Sequence, residues 1–415
     1  MPYSKNCIIC KGSNPQKYCN RNFCPLISKS KIYDNVREGI QKNSFSGNAP
    51  APFIGRHNYP NVNVGILSTT YEDESSWEYD FPKHWAQSNY DEEKIMGFRT
   101  GLVNSRMQSG VKSKNEKIVE LAQDVAMALV APEIEISLQK APSFSFSLDT
   151  YSAPTGPVAD MKSAEITSNI KTSPKIERVI DDTDLKAGLA MNNLYEKKFD
   201  ENTISKILSV GSIGIGSRRK LVPTRWSITA TDDILCKKLI TGIKSNDLVN
   251  EYMMYSGDYM GNYYYIMFLP SNWSFELYET YASNASFNQT GMSQYTTDYE
   301  NYNGRKDYAA ECTGGYYAVR LPVAEKLKQL KRQAGVLIFR FITDEYAMPL
   351  GVWVCRETAR RALKGKPLCF DSKEQMLDYA KKVAKIKFGY DVDEFIKKSR
   401  LLKEIRAQSR LNKWM

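Results

Sequence analysis

The sequence predicts an α+β protein with mixed, largely antiparallel sheets. Strand-like and helix-like segments are interspersed, several strand pairs are close enough to form hairpins, and no regular βαβ repeat is present. A small four-cysteine element stands in front of this body and a helical tail behind it. The expected divisions are 1–28 for the cysteine element, 29–52 for a linker, 53–370 for the core, 371–407 for the helical region and 408–415 for a terminal peptide. A chain of 415 residues, 42% of them hydrophobic, can bury a substantial interior in two or three units. With 57 Lys and Arg against 47 Asp and Glu, the net charge of +10 is a modest excess that suits a polyanionic partner. No run of eighteen apolar residues is present, and the start MPYSKNC lacks the charged-then-apolar order of an export signal. The expectation is a cytoplasmic protein without a membrane segment.

Four of the eight cysteines fall within the first two dozen residues. Cys7 and Cys10 have the two-residue gap that lets two thiolates reach one tetrahedral metal, and Cys19 and Cys24 supply a second pair across a short loop. Structural Zn²⁺ is the reading this spacing favours; an iron–sulfur cluster uses the same four thiolates, and a disulfide pair is disfavoured in a reducing compartment. An element this small has almost no apolar core, so the metal would supply its folding free energy.

Residues 28–48 are polar, and the APAP run at 49–52 reads as the entry to the main body. FIGRHNYPNVNVGIL (53–67) alternates apolar and polar around Val62 and Val64, as a strand does. His57, one of two histidines, has no acidic neighbour in sequence and reads as a polar contact. Ser113 and Glu116 form a capping box for a helix through Ala131, with Ile118, Leu121, Val125 and Ala128 on one face. Glu133–Leu138 and Ser143–Leu148 alternate strictly and predict a hairpin.

GIGSRRKLVPTRWSITATDD (214–233) is the densest clustering of glycine, cations and tryptophan in the chain. Gly214 and Gly216 allow positive φ, so successive amides could face an anion while Arg218, Arg219 and Lys220 add charge. Arg225 beside Trp226 sets a planar guanidinium next to a large ring, which suits a phosphate and its base. The alternative is a basic turn entering a strand whose tryptophan is core. From Tyr252 to Tyr281 the chain is rich in tyrosine and predicts two extended runs whose rings mostly pack inward. Residues 313–320, TGGYYAVR, repeat the combination of glycine, tyrosine and arginine; Pro322–Gly335 reads as a helix, and Val336–Ile342 and Leu350–Cys355 as strands. Arg320 and Arg356 join the candidate phosphate contacts.

The segments FIGRHNYP (53–60), SRRKLVPTRWSIT (217–229), NYYYIMFLPSNWSFELYE (262–279), TGGYYAVRL (313–321) and GVWVCRE (351–357) resemble the archaeal Nre family over nearly the whole chain. The resemblance implies an association with DNA repair. It places a zinc-finger element on Cys7, Cys10, Cys19 and Cys24, and a clamp-binding peptide at the carboxy terminus; it carries over no catalytic residues.

In the tail, Ser372 and Gln375 make a capping box for a helix through about Lys387, and a second helix runs from about Val392 toward Ala407. The last eight residues, QSRLNKWM, have the form Gln-x-x-aliphatic-x-x-aromatic-aromatic of a peptide that binds the sliding clamp PCNA, except that Met415 stands where a second ring is usual. In a 3₁₀ turn, residues three apart eclipse, so Leu411 and Trp414 would project together as a plug with Gln408 beside the pocket. The alternative is a helix end docking its tryptophan on its own core.

Two function classes follow. One is a clamp-tethered, DNA-binding repair factor without chemistry of its own. The other is a lesion-processing enzyme, a metal-dependent nuclease or base-removing activity. There Arg225, Arg320 and Arg356 would hold phosphates, and Asp232, Asp233, Glu276 or Glu357 would serve as metal ligands or general base.

Overall fold

The computed structural model describes residues 9–19, 22–113, 116–144, 153–282 and 294–411, with side chains to 407 at the carboxy end. The chain divides into two compact units, 1–235 and 236–415.

The first unit carries a six-stranded sheet ordered β1-β5-β6-β4-β3-β2. Its strands are β1 (Ser44–Asn48), β2 (Ala51–Ile54), β3 (Asn61–Ser68), β4 (Val103–Gly110), β5 (Glu133–Leu138) and β6 (Val158–Ile166). All neighbours pair antiparallel except β4 and β6. The helices are α1 (Pro15–Cys19), α2 (Pro25–Gly39), α3 (Pro82–Gln87), α4 (Glu92–Gly101), α5 (Lys117–Met127), α6 (Pro174–Asp181), α7 (Ala187–Glu196), α8 (Glu201–Ser209) and the start of α9 (Thr224–Ile243). Alternation on β3 buries Val62, Val64 and Ile66 against Ile118, Val119, Ala122 and Val125 of α5. These contacts form the core of the unit. The predicted alternation of β3 and the amphipathic helix are both present, though Ala128 caps α5 and Ala131 lies beyond its end.

Two expectations and one alternative change in this unit. Residues 29–52 are not a linker: most of α2 and the strands β1 and β2 occupy them, and β1 pairs with β5 from Ser44↔Ser137 to Asn48↔Glu133. The partners of β5 are β1 and β6, so the predicted hairpin with 143–148 does not form among the described residues, where Ser143 makes an isolated bridge to Val158. Trp226 sits in the first turn of α9, not in a strand.

The second unit holds another six-stranded sheet, ordered β10-β9-β11-β8-β7-β12. Its strands are β7 (Tyr252–Tyr259), β8 (Asn262–Leu269), β9 (Ser274–Tyr281), β10 (Gln294–Glu300), β11 (Gly335–Ile342) and β12 (Leu368–Phe370). Its helices are α10 (Thr313–Leu330), α11 (Trp353–Lys364), α12 (Lys373–Phe388), α13 (Asp393–Lys398) and α14 (Arg400–Leu411). Among the described residues, the only parallel pair in this sheet is β9 with β11. Every residue of β11 is buried, so it reads as a continuous apolar run and not an alternation. Met260 and Gly261, both at positive φ, turn β7 into β8 as a two-residue hairpin loop requires. The tyrosine-rich stretch thus makes three strands, and Tyr255, Tyr264 and Tyr278 are core. Residues 313–320 and 353–355 are helical: α10 runs through Pro322, and the predicted strand at 350–355 is the start of α11.

Ser372 caps α12 as predicted, its hydroxyl accepting the Gln375 amide at 3.2 Å, and Gly389 ends the helix at φ 67°. The second tail helix is broken at Ser399 into α13 and α14. Leu401 and Leu402 bury against the sheet and tie α14 to the unit.

Candidate nucleic acid interface

The start of α9 is fixed from three sides within the first unit. The Ile54 amide donates to Thr224 Oγ1 at 2.8 Å, the Val222 amide to the Ser209 carbonyl at 2.8 Å, and the Leu221 amide to the Val111 carbonyl at 2.8 Å. Ser227 is buried and meets Ser205 Oγ at 2.9 Å. Since Val111 in turn donates to the Pro60 carbonyl, the segments FIGRHNYP and SRRKLVPTRW, 160 or so positions apart, form one surface. On it Trp226 is 46% exposed and Tyr59 43% exposed, their rings 5.4 Å apart and tilted by 50°. Arg56, Arg218, Lys220 and Arg225 of these segments, and Lys112 next to Val111, are exposed, and among the described residues none of the five makes an ion pair. The result is a surface that carries exposed cations and two half-exposed rings, able to hold phosphates by charge and a flat ligand by stacking.

The glycines and Arg219 do something else. The Gly216 amide donates to the Thr183 carbonyl at 2.8 Å, and Gly214, at φ 110°, lies so close to Ala187 that a Cβ there would come within 3.3 Å of it. The Gly-x-Gly segment therefore packs on the loop before α7 and does not cradle an anion. Arg219 donates through Nε to the Gly214 carbonyl at 2.8 Å and through Nη2 to the Ile180 carbonyl at 2.6 Å, which satisfies the carboxy-terminal end of α6. Burial lowers its pKa against the opposing pull of Asp181 and Asp182. Arg219 is a helix-capping residue in place of the phosphate contact expected of it.

Arg320 and Arg356 also leave the candidate set. Arg320, 1% exposed, is paired with the buried Glu300, itself bonded by Trp273 Nε1 at 3.2 Å, and lies over the rings of Tyr316 and Tyr317. Arg356 is buried beside Glu357, whose carboxylate takes Arg360 Nη1 at 2.7 Å. A guanidinium in such a place cannot reach a DNA backbone. The carboxylates proposed for catalysis are likewise dispersed. Asp232 is buried and Asp233 half-buried on α9, and Glu276 accepts Ser399 Oγ, the Arg400 amide and the Leu401 amide at 2.5, 2.9 and 3.2 Å, capping α14. Among the described residues no group of three or more His, Cys, Asp or Glu is placed to hold a metal ion.

The second unit contains a buried charged cluster that no sequence motif announces. Arg340 on β11 pairs with Glu279 on β9 and donates through Nη2 to Asn262 Oδ1 at 2.5 Å. Gly315 on α10 is held against Glu279, where a Cβ would come within 2.9 Å of its Oε1. Cys312 and Cys355 lie near this pair, and burial, with Glu279 adding to it, pushes both thiols above their ordinary range. A thiol kept protonated by burial is a poor nucleophile. The only sequence signal for the cluster is a lone arginine inside the apolar run GVLIFRFI.

Of the four cysteines, Cys7 lies outside the described residues and so does the side chain of Cys19. Cys10 is 3% exposed and opens a tight turn, with Lys11 and Gly12 at φ 45° and 78° and both Ser13 N and Ser13 Oγ donating to the Cys10 carbonyl. A Cβ on Gly12 would come within 2.3 Å of Ile27, so this turn is pressed against the first turn of α2, which Cys24 precedes as N-cap. The Cys24 side chain makes no capping hydrogen bond. Among the described residues, therefore, Cys10 and Cys24 are the thiols of the predicted element, they lie on adjoining turns, and no metal-holding group forms around them. At the other end, α14 continues through Leu411, so the backbone of Gln408 and Leu411 is helical; Trp414 and Met415 lie outside the described residues.

The archaeal Nre amino-terminal family profile matches residues 18–288, and the archaeal Nre carboxy-terminal profile matches 300–414. Similar curated proteins include a DNA repair protein NreB from Archaeoglobus fulgidus, 32% identical over 404 residues, covering 97% of this chain and 98% of that one. They also include DNA repair proteins NreA from Haloferax volcanii, 35% identical over 80% of this chain and 81% of the relative, and from Archaeoglobus fulgidus, 32% identical over 91% and 93%. No solved structure gives a significant match. No helix among the described residues is long and apolar enough to cross a membrane.

Proposed function

This chain belongs to the archaeal Nre family, and from that premise we propose that it is a DNA repair factor that binds DNA through the Trp226–Tyr59 surface and is tethered to PCNA by residues 408–415. The observation that carries the DNA-binding part is the set of five exposed cations, without ion pairs among the described residues, on the two distant stretches of chain that bring the half-exposed rings of Trp226 and Tyr59 together. Cations kept free of carboxylates attract a polyanion and release its counterions on contact. The names of the relatives support repair as the setting.

Binding of a labelled DNA by the full chain, measured against salt, tests this reading. Reversing Arg218 and Arg225 to Glu is expected to weaken binding and to lower the slope of log affinity against log salt by about one for each phosphate no longer neutralised. An unchanged slope removes this surface from the interface.

The tether rests on the form of QSRLNKWM and on the attachment of α14 by Glu276, Leu401 and Leu402, which makes residues 408–411 the last turn of an anchored helix in place of the 3₁₀ turn expected there. Deleting 408–415 is expected to abolish co-purification with PCNA while the thermal transition is kept; persistent co-purification refutes it. Cys7, Cys10, Cys19 and Cys24 would together hold one structural Zn²⁺, whose role is to order the turns before α2. One zinc per chain in the purified protein, lost on Cys10→Ser, is the expected result, and an iron–sulfur absorption band in its place would replace zinc.

A further inference from the structure

We infer that the Trp226–Tyr59 surface takes DNA with unpaired bases, single-stranded or locally opened, in preference to closed duplex. This rests on the DNA-binding reading above and adds the class of substrate to it. Cations alone suffice for a duplex, which shows a protein its phosphates and groove edges while the faces of its bases stay closed within the stack. Rings become useful when base faces are free, because a base stacked on Trp or Tyr buries apolar surface on both partners whatever its sequence.

Three observations carry the step. First, Trp226 and Tyr59 are both half-exposed and lie in contact with each other, so that two ring faces are offered at one place. Second, the rings are held in place. Trp226 rides on the first turn of α9, whose flanking residues Thr224 and Ser227 are tied to Ile54 and Ser205, and Tyr59 packs against it at 5.4 Å. A base therefore meets a ready platform and orders no loop on binding. Third, ring and cation alternate along both contributing segments, as Arg56 then Tyr59 and as Arg225 then Trp226, so that a strand laid across them finds charge for its phosphates beside faces for its bases. A third exposed ring, Phe53, follows on β2, one residue before the Ile54 amide that holds Thr224.

The test uses the full chain with a fluorescent oligothymidylate and a blunt duplex of equal total charge, at two salt concentrations. The unmodified protein is expected to bind the single strand more tightly than the duplex. Trp226→Ala and Tyr59→Ala are each expected to lower single-strand affinity at least about fivefold, the loss of one stacked base, while duplex affinity changes by less than about twofold. Trp226→Phe, which restores a ring, is expected to recover most of the loss. The inference is overturned if the alanine variants weaken both ligands equally, if single-strand affinity is unmoved, or if the duplex binds more tightly to begin with. The reversal of Arg218 and Arg225 separates the two levels of the claim. Loss of binding to both DNAs on charge reversal with no effect of the ring variants leaves the DNA-binding surface standing and removes its preference; no effect of charge reversal on either DNA removes the surface itself.

Discussion

Two sets of arginines, one in each unit, are used in opposite ways. On the first, Arg56, Arg218 and Arg225 stand in water with no carboxylate in reach among the described residues. In the second, Arg320 and Arg340 are buried and each is matched to a buried glutamate. The same side chain is a ligand-seeking charge in one place and a locked structural part in the other. What separates them is whether the fold supplies a counter-charge, not the local motif, since both Arg225 and Arg320 lie within three positions of an aromatic residue in sequence. A desolvated guanidinium is tolerated only when its charge and hydrogen bonds are met, and the Arg340–Glu279–Asn262 set meets them.

The largest way to break this contrast is to remove one half of a buried pair. Arg340→Ala leaves Glu279 without its partner in a dry site and is expected to cost about 3–5 kcal/mol of stability. Urea unfolding of the full chain, followed by circular dichroism, measures this. Replacing both partners, as Arg340→Met with Glu279→Leu, is expected to recover much of the loss, because two apolar groups leave no stranded charge. A loss below about 1 kcal/mol for Arg340→Ala would mean that water reaches the pair and that the two regions differ less than described.

How much of this is legible in the sequence follows the range of the interactions involved. The alternation of Val62, Val64 and Ile66, the amphipathic α5 and the Ser372 cap depend on neighbours a few positions apart, and all three are present. The stretch 29–52 reads as a linker because β1, SFSGN, has small residues and little apolar signal of its own; its pairing with β5, about ninety residues away, makes it a strand. The run PLGVWVC is short and apolar, and periodicity cannot tell a buried strand from the first turn of a helix in such a run. TGGYYAVR reads as another grouping of glycine, tyrosine and arginine, yet Gly315 is there to admit Glu279 from a facing strand. The candidate surface is half legible. Arg218, Lys220, Arg225 and Trp226 stand out in the sequence, whereas FIGRHNYP carries the family resemblance without declaring a role. Lys112 has no signal, because it reaches this surface only through the bond between Leu221 and Val111.

A smaller effect sharpens the contrast from the side of the buried carboxylates. Burial raises the pKa of Glu276, while hydrogen bonds from Ser399, Arg400, Leu401 and Tyr278 pull it back down. A carboxyl whose folded pKa lies above its unfolded value binds its proton more tightly when folded. Its contribution to stability is therefore largest below the ordinary carboxylate range and is lost as pH rises toward the folded value. Glu276→Gln keeps an acceptor for the Arg400 amide and removes the titration, so its melting temperature is expected to fall less than that of the unmodified protein between about pH 4 and pH 7. Parallel curves for the two proteins would show that Glu276 is solvated in solution and that α14 is held by Leu401 and Leu402 alone.

The smallest effect on stability belongs to the exposed set and completes the comparison. Arg225→Ala and Arg218→Ala remove charges that touch no carboxylate and bury little, so each is expected to change unfolding free energy by less than about 0.5 kcal/mol. Both changes are expected to weaken DNA binding all the same, because a phosphate is left without its cation whatever the stability. This pairing of outcomes is the reverse of that expected for Arg340→Ala, where stability falls first and any loss of binding follows from unfolding. Denaturant melts and DNA titrations run on the same three variants place each arginine on one side or the other. If Arg225→Ala destabilised the chain by more than about 1 kcal/mol, its side chain would be supporting the Trp226 turn, and the cations of this surface would have to be counted among the structural ones.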